Sequence, residues 1–169
     1  MRKNWGWWQW AGFIFSTVAG TLLHFAYDWS GGSPLVAPFA ALNESTWEHM
    51  KLLFWPTLAF ALLQWAVAGR GEAGFWRGKL YGILSGLLLI PLLFYTYNGV
   101  FGSSGAAVNI GIFVLAAAVA YLPELRLRPG RGGVWPQLLL CLLALMFIVC
   151  SFMPPQLPLF ISPVWLRCW

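Results

Sequence analysis

Hydrophobic residues along this chain form long uninterrupted blocks and do not alternate with polar residues. Five blocks reach or approach the roughly 20 helical residues that cross a bilayer core of ~30 Å. Because lipid offers the backbone no hydrogen-bond partner, only helices and closed barrels span it, and blocks rich in leucine and alanine favour helices. The pattern predicts an all-α polytopic membrane helical bundle with five transmembrane helices, at about residues 7–27, 51–68, 80–97, 106–122 and 135–153.

Composition supports a single integral membrane domain over residues 1–169. Apolar residues make up 60% of the chain and charged residues only 9%, whereas soluble domains carry about 25% charged residues. The first block is longer than the hydrophobic part of a signal peptide and has no small-residue cleavage site after it, so we expect a retained helix. Segment 154–169 has four prolines and is expected to lie along the outer interface.

The basic residues predict the orientation. Most are expected on one side, before the first helix and in the loops after the second and fourth: Arg2, Lys3, Arg70, Arg77, Lys79, Arg126, Arg128 and Arg131. Only Lys51 and Arg167 are expected on the other side. The positive-inside rule then predicts a multi-pass protein of the cell inner membrane, with a cytoplasmic N-terminus and an external C-terminus. Anionic headgroups account for the net charge of +5, so membrane lipids are the expected partners and nucleic acid is not.

The titratable residues are concentrated in two short segments, 24–32 and 43–51. These hold both histidines and three of the five acidic residues of the chain. Both segments fall at the predicted outer ends of the first two helices, so we expect one polar pocket there. The candidate catalytic residues are His24, Asp28, Glu44, Glu48, His49 and Lys51.

Three kinds of chemistry fit this cluster. Two histidines with carboxylates can hold zinc or another divalent metal, and the proposed ligands are His24, Asp28, Glu48 and His49. Without a metal, histidine–carboxylate pairs beside Lys51 provide an acid and a base. The third possibility is an ion network that only locks helices together, with Ser45 and Glu48 forming a capping box at a helix start.

These possibilities lead to two classes of function. The first is a metal-dependent or acid–base membrane-embedded enzyme acting on a lipid-like or small amphiphilic substrate. The second is non-enzymatic: a small-solute permease or an accessory membrane subunit. The sequence argues against a permease, because the inner halves of the helices read as apolar and glycine-rich.

Small residues on the first helix predict a packed seam that leads to the pocket. Gly12, Ser16, Gly20, His24 and Asp28 recur every four residues and so share one helical face. Small residues in membrane helices mark close helix–helix approach. A similar row on the third helix, Gly78, Gly82 and Gly86, is the expected packing partner.

The segments LHFAYDWSGG (23–32) and NESTWEHMKLLFWP (43–56) resemble a family of small uncharacterised bacterial multi-pass membrane proteins recognised by an N-E-S-x-W-E-H-x-K motif. The resemblance spans the whole chain and implies several membrane helices without an assigned activity. Where family members place an acid near the C-terminus, this chain has Ser162. The His24-x3-Asp28 pattern is also similar to that of emopamil-binding-type membrane isomerases, which implies a lipid-facing pocket.

Overall fold

The computed structural model describes residues 5–72, 74–102, 105–122 and 133–162, which form five α-helices and no β-strand. The helices are α1 (Trp5–Trp29), α2 (Thr46–Gln64), α3 (Phe75–Phe101), α4 (Ala106–Tyr121) and α5 (Trp135–Phe152). A π-helical turn, Trp65–Gly69, continues α2, and a 3-10 turn, Pro158–Phe160, follows α5. The predicted all-α class is confirmed.

Four of the helices, α1, α2, α3 and α5, are long and apolar enough to cross a membrane. Helix α4 has 16 residues and therefore a length of about 24 Å, less than the ~30 Å of a bilayer core. The outward faces of the helices are apolar, as on α5, where Leu138, Leu142 and Leu145 are each more than half exposed. Soluble proteins rarely expose apolar surface so continuously, so the fold is typical of a membrane protein.

Helix α2 lies at the centre of the bundle, in contact with α1, α3 and α4. Its Leu53 and Phe54 are fully buried and belong to a core that includes Ile83 of α3, Ala116 of α4 and Phe147 of α5. The central position of α2 places residues near its N-terminus beside three other helices.

The small residues of α1 form the predicted seam. A methyl group at Gly12 would clash with the rings of Tyr121 and Phe60, and one at Gly20 would lie 2.6 Å from the ring of Phe113. Ser16, between them, is fully buried. Helix α1 therefore packs on α2 and α4 through this row.

The glycine row of α3 has a different partner from the expected one. A methyl group at Gly82 would overlap the carbonyl oxygen of Ala120, and one at Gly86 would lie 2.9 Å from that of Ala116. The row therefore packs against α4, and the prediction that it meets α1 is wrong. The physical reason is that the small side chains of α4 allow its backbone to approach α3 closely.

The half of the bundle away from the N-terminus of α2 contains buried polar side chains. Ser16 and Tyr121 share a hydrogen bond of 2.7 Å, and the hydroxyl of Thr57 donates to Ser16 over 3.3 Å. Gln64 is fully buried, and neither polar atom of its amide has a partner within the described residues. The interpretation of the inner halves of the helices as apolar and glycine-rich is therefore wrong at these positions.

Lys79, expected in a loop, lies instead in α3 and is 1% exposed. Its ammonium group is 5.3–6.0 Å from the ring centroids of Phe60, Phe75 and Tyr121. Aromatic faces stabilise a cation in this position. Arg77, also expected in that loop, lies in α3 as well. Six of the basic residues behind the orientation lie outside the described residues: Arg2, Lys3, Arg126, Arg128, Arg131 and Arg167.

Candidate metal centre

The start of α2 is defined by two side-chain caps. The hydroxyl of Ser45, the N-cap residue, accepts a hydrogen bond from the backbone N–H of Glu48 at 3.4 Å. The N–H of Ser45 in turn donates to Oδ1 of Asn43 at 2.8 Å. These bonds satisfy donors that a helix start otherwise leaves unpaired. They also fix the turn that carries Glu44.

The linker between α1 and α2 is tied back onto α2. The indole N–H of Trp55 donates to the carbonyl of Pro38 at 2.8 Å, and the ammonium of Lys51 donates to that of Ala37 at 2.8 Å. The N–H of Ala41 reaches the carbonyl of Leu23 on α1 at 3.4 Å. The end of α1 and the start of α2 are consequently adjacent.

His24, Glu44 and His49 meet at this junction. Nε2 of His24 is 3.4 Å from Oε1 of Glu44, and Nε2 of His49 is 3.8 Å from Oε2 of the same carboxylate. The two imidazole rings have centroids 5.8 Å apart. One potential ligand atom from each residue lies within 4.8 Å of the others, and we call this group the His/Glu cluster. Glu44 is 58% exposed and the histidines 20–29%, so the cluster is open to solvent on one side.

The proton position on His49 follows from its backbone contact. Nδ1 of His49 is 2.9 Å from the carbonyl oxygen of Ser45, which can only accept a hydrogen bond. Nδ1 therefore carries the proton, and in the neutral imidazole Nε2 presents its lone pair to the Glu44 carboxylate. Metal-ligating histidines commonly make such a bond through the nitrogen that does not bind the metal.

Glu48 and Lys51 belong to a different, buried arrangement. Oε2 of Glu48 lies 2.6 Å from Nζ of Lys51, and both side chains are almost completely buried. The same carboxylate oxygen accepts from the N–H of Leu42 at 3.0 Å. The ammonium also donates to Ala37 and to the hydroxyl of Ser151 at 3.0 Å, so its three N–H groups have three acceptors. We call Glu48, Lys51 and Ser151 the buried lock, because it joins α2, the linker and α5.

Asp28 stands apart from both groups. It is exposed at the end of α1, and its carboxylate makes no ion pair with any residue that the structure describes. Of the four metal ligands predicted from the sequence, the structure brings together His24 and His49. It turns Glu48 towards Lys51 and places Glu44 between the imidazoles. The geometry therefore favours His24, Glu44 and His49 as a metal-binding set.

A small pocket that opens to solvent adjoins the His/Glu cluster. Glu44, Thr46 and His49 form its polar side, and Asn109 of α4 also lines it. The remaining lining is apolar: Ile90, Phe94, Ile112 and Phe113. Oδ1 of Asn109 is buried and has no hydrogen-bond partner within the described residues.

Sequence reasoning missed Ser151 and left Asn109 outside the candidate site residues. Ser151 lies one hundred positions from Lys51, and a serine near the end of an apolar helix carries no signal of its own. Asn109 had a weak signal, because it is a single amide in an otherwise apolar helix. Its position near the start of α4 already indicated the end of the bundle to which it belongs.

A family model described as a family of unknown function (DUF6512) matches residues 2–166. Because the match covers almost the whole chain, the protein belongs to this family. No curated protein and no solved structure matches the chain. The predicted membership of an uncharacterised family is confirmed at this level, and the family description assigns no activity.

Proposed function

We propose that the protein is a membrane-embedded enzyme in which His24, Glu44 and His49 bind a divalent metal and act on a lipid-like substrate. One observation carries the proposal. The bond from Nδ1 of His49 to Ser45 leaves Nε2 facing the Glu44 carboxylate at 3.8 Å. A lone pair and a carboxylate that face each other at this distance are two donors that a divalent metal ion between them would bind.

The separations within the cluster suit zinc. Ligand atoms about 2.1 Å from a tetrahedral zinc ion lie about 3.4 Å apart. The His24–Glu44 separation is 3.4 Å, and the other separations, at most 4.8 Å, need to shorten. Glu44 is exposed and its side chain has room to rotate. Two histidines and one glutamate are a set found in catalytic zinc sites, where the fourth position holds water.

The chemistry of such a centre is hydrolysis or polarisation of an oxygen on the substrate. A zinc-bound water is acidic enough to act as a nucleophile near neutral pH, and the metal polarises carbonyl or phosphoryl oxygens. Access is provided by the exposed flank of Glu44 and by the adjoining pocket. Without a metal, a proton between Glu44 and the imidazoles would provide the balancing charge, and the site would work by acid–base catalysis.

The positive-inside rule supports an outer location for the cluster. Arg70 and Arg77 flank the turn between α2 and α3, at the opposite end of α2 from Glu44. If this turn faces the cytoplasm, the cluster lies at the outer face of the inner membrane. Its substrate then comes from the outer leaflet or from the space beyond it.

The proposal is tested by elemental analysis of the detergent-purified protein and its variants. The wild type should contain one zinc or similar ion per chain, and His24→Ala and Glu44→Gln should lose it. Asp28→Asn is the matched control, because it removes a carboxylate one turn from His24 but outside the cluster. Loss of metal in Asp28→Asn would favour the ligand set predicted from the sequence. A metal-free wild type after purification with added zinc would overturn the metal proposal.

A second candidate function, an accessory subunit without catalysis, is favoured by the buried lock. The ammonium of Lys51 has three acceptors and Oε2 of Glu48 has two donors, so neither side chain needs a substrate to explain it. On this alternative the His/Glu cluster only adds contacts between α1 and α2. Glu44→Gln should then reduce the stability of the protein, and both the wild type and this variant should contain only background metal.

A further inference from the structure

We infer that the small pocket beside the His/Glu cluster holds a single water molecule, which donates a hydrogen bond to Oδ1 of Asn109 and fills the open coordination position of the metal. Asn109 is then a positioning residue for the reactive water. This inference rests on the proposed function, because it takes the cluster as the metal-binding set. It adds a residue of α4 that orients the water from outside the set of metal ligands.

The size of the pocket matches one water molecule. Its cavity volume is about 20 Å³. A water needs roughly 10–15 Å³ of such volume and two to four polar partners. The polar residues of the lining are Glu44, Thr46, His49 and Asn109. The pocket is therefore large enough and polar enough for a single water.

The pocket lies between the His/Glu cluster and α4. Glu44 and His49 line it from the start of α2, and Asn109 lines it from α4. His24 is not among the described residues that line it, so the pocket adjoins the cluster on the side away from α1. Because there is room for about one water, a molecule bonded to Asn109 also lies next to Glu44 and His49. A zinc ion with three protein ligands keeps a position for such a water.

Asn109 supplies the second, independent observation. Its Oδ1 is shielded from solvent and accepts no hydrogen bond from the described residues. Buried polar groups in native proteins are generally paired, either with the protein or with ordered water. The other residues of α4 in the lining, Ile112 and Phe113, have no side-chain donor. A water in the pocket supplies the missing donor, and this bond fixes the orientation of the water towards the metal.

The test is the EPR spectrum of the cobalt-loaded protein in detergent, recorded in ordinary water and in water enriched in oxygen-17. Cobalt(II) takes the place of zinc, and the nuclear spin of oxygen-17 broadens the spectrum when a water is bound to the metal. The wild type should show this broadening. Asn109→Leu replaces the acceptor with a methyl group and should lose the broadening, whereas Asn109→Asp keeps an oxygen acceptor and should retain it.

Three results would overturn the inference: no broadening in the wild type, broadening that persists in Asn109→Leu, or loss of broadening from Asn109→Asp as well. Asn109→Leu should still bind cobalt, because all three protein ligands remain. Its affinity should fall by roughly 10- to 100-fold, the usual effect of removing an outer-shell partner. The spectra are therefore compared at saturating cobalt.

The outcomes separate this inference from the proposed function. Bound cobalt with an unbroadened wild-type spectrum would retain the metal centre and refute the water site. If the wild type binds no metal, a crystal structure of the metal-free protein decides. One water within about 3 Å of Oδ1 of Asn109 would then refute the metal centre and retain the water site. An empty pocket in that structure would refute both.

Discussion

Glu44 and Glu48 show how far residue-level reasoning from this sequence extends. Their spacing of four and the scarcity of acids predicted that each needs a positive partner. Of the predicted capping box only one half forms: Ser45 accepts from the N–H of Glu48, whereas the N–H of Ser45 donates to Asn43 and not to the Glu48 side chain. The partners were not predictable, because Lys51 is held in place by the carbonyl of Ala37 and by Ser151, one hundred residues away. Those contacts turn Glu48 inward and leave Glu44 exposed.

The same substitution should therefore change the free energy of unfolding strongly at Glu48 and little at Glu44. Glu48→Gln removes the counter-charge of a fully buried ammonium, and breaking a buried pair costs about 3–5 kcal/mol. Glu44→Gln changes an exposed side chain and should alter the free energy of unfolding by less than about 0.5 kcal/mol. Chemical unfolding in mixed micelles without added metal, followed by circular dichroism, measures the free energy of unfolding of both variants.

Metal content provides the complementary readout for this pair. Folded Glu48→Gln protein should retain its metal, and Glu44→Gln should not. Equal destabilisation of the two variants would mean that the buried lock is not a separate unit from the His/Glu cluster.

At the scale of elements, the hydrophobic blocks located each α-helix of the described residues, because bilayer thickness imposes a length that residue patterns reflect directly. The block at 106–122 corresponds to α4 (Ala106–Tyr121), and the block at 80–97 corresponds to the longer α3 (Phe75–Phe101). Which helices pack against each other was harder to predict from the sequence. Glycine rows on α1 and α3 indicate that another helix approaches closely, but they do not identify that helix. The row of α3 packs against the alanine-rich face of α4.

This pairing makes Gly82 intolerant of any side chain. A methyl group there would overlap the carbonyl of Ala120, which is backbone and cannot rotate away. Gly82→Ala should therefore separate α3 from α4 and destabilise the protein by about 1–3 kcal/mol. Gly99→Ala, near the end of the same helix, meets no atom within 4 Å and should be neutral or stabilising by up to about 1 kcal/mol.

Unfolding of the two glycine variants in the same micelles gives the comparison. Because both changes raise intrinsic helix propensity equally, their difference isolates the α3–α4 contact. Similar stabilities for Gly82→Ala and Gly99→Ala would contradict the packing described for α3 and α4.

For the whole molecule, the polar residues divide between the two ends of the bundle. One end has an open cluster with a pocket, and the other has buried groups such as Ser16, Tyr121 and Lys79 enclosed by aromatic rings. Sequence patterning detected the first end because its residues are charged and adjacent in the chain. It missed the second because those residues are single polar positions on separate helices, and only tertiary packing brings them together.

The orientation of these two ends in the membrane decides where the site operates. The positive-inside rule predicts that the linker between α1 and α2 is external and that the turn between α2 and α3 is cytoplasmic. In a background with the native cysteines replaced by serine, Leu35→Cys and Glu72→Cys place one exposed thiol in each segment. A membrane-impermeant maleimide applied to intact spheroplasts should label Leu35→Cys at once and Glu72→Cys only after lysis. The reverse pattern would place the His/Glu cluster at the cytoplasmic face, and labelling of both before lysis would exclude a spanning α2.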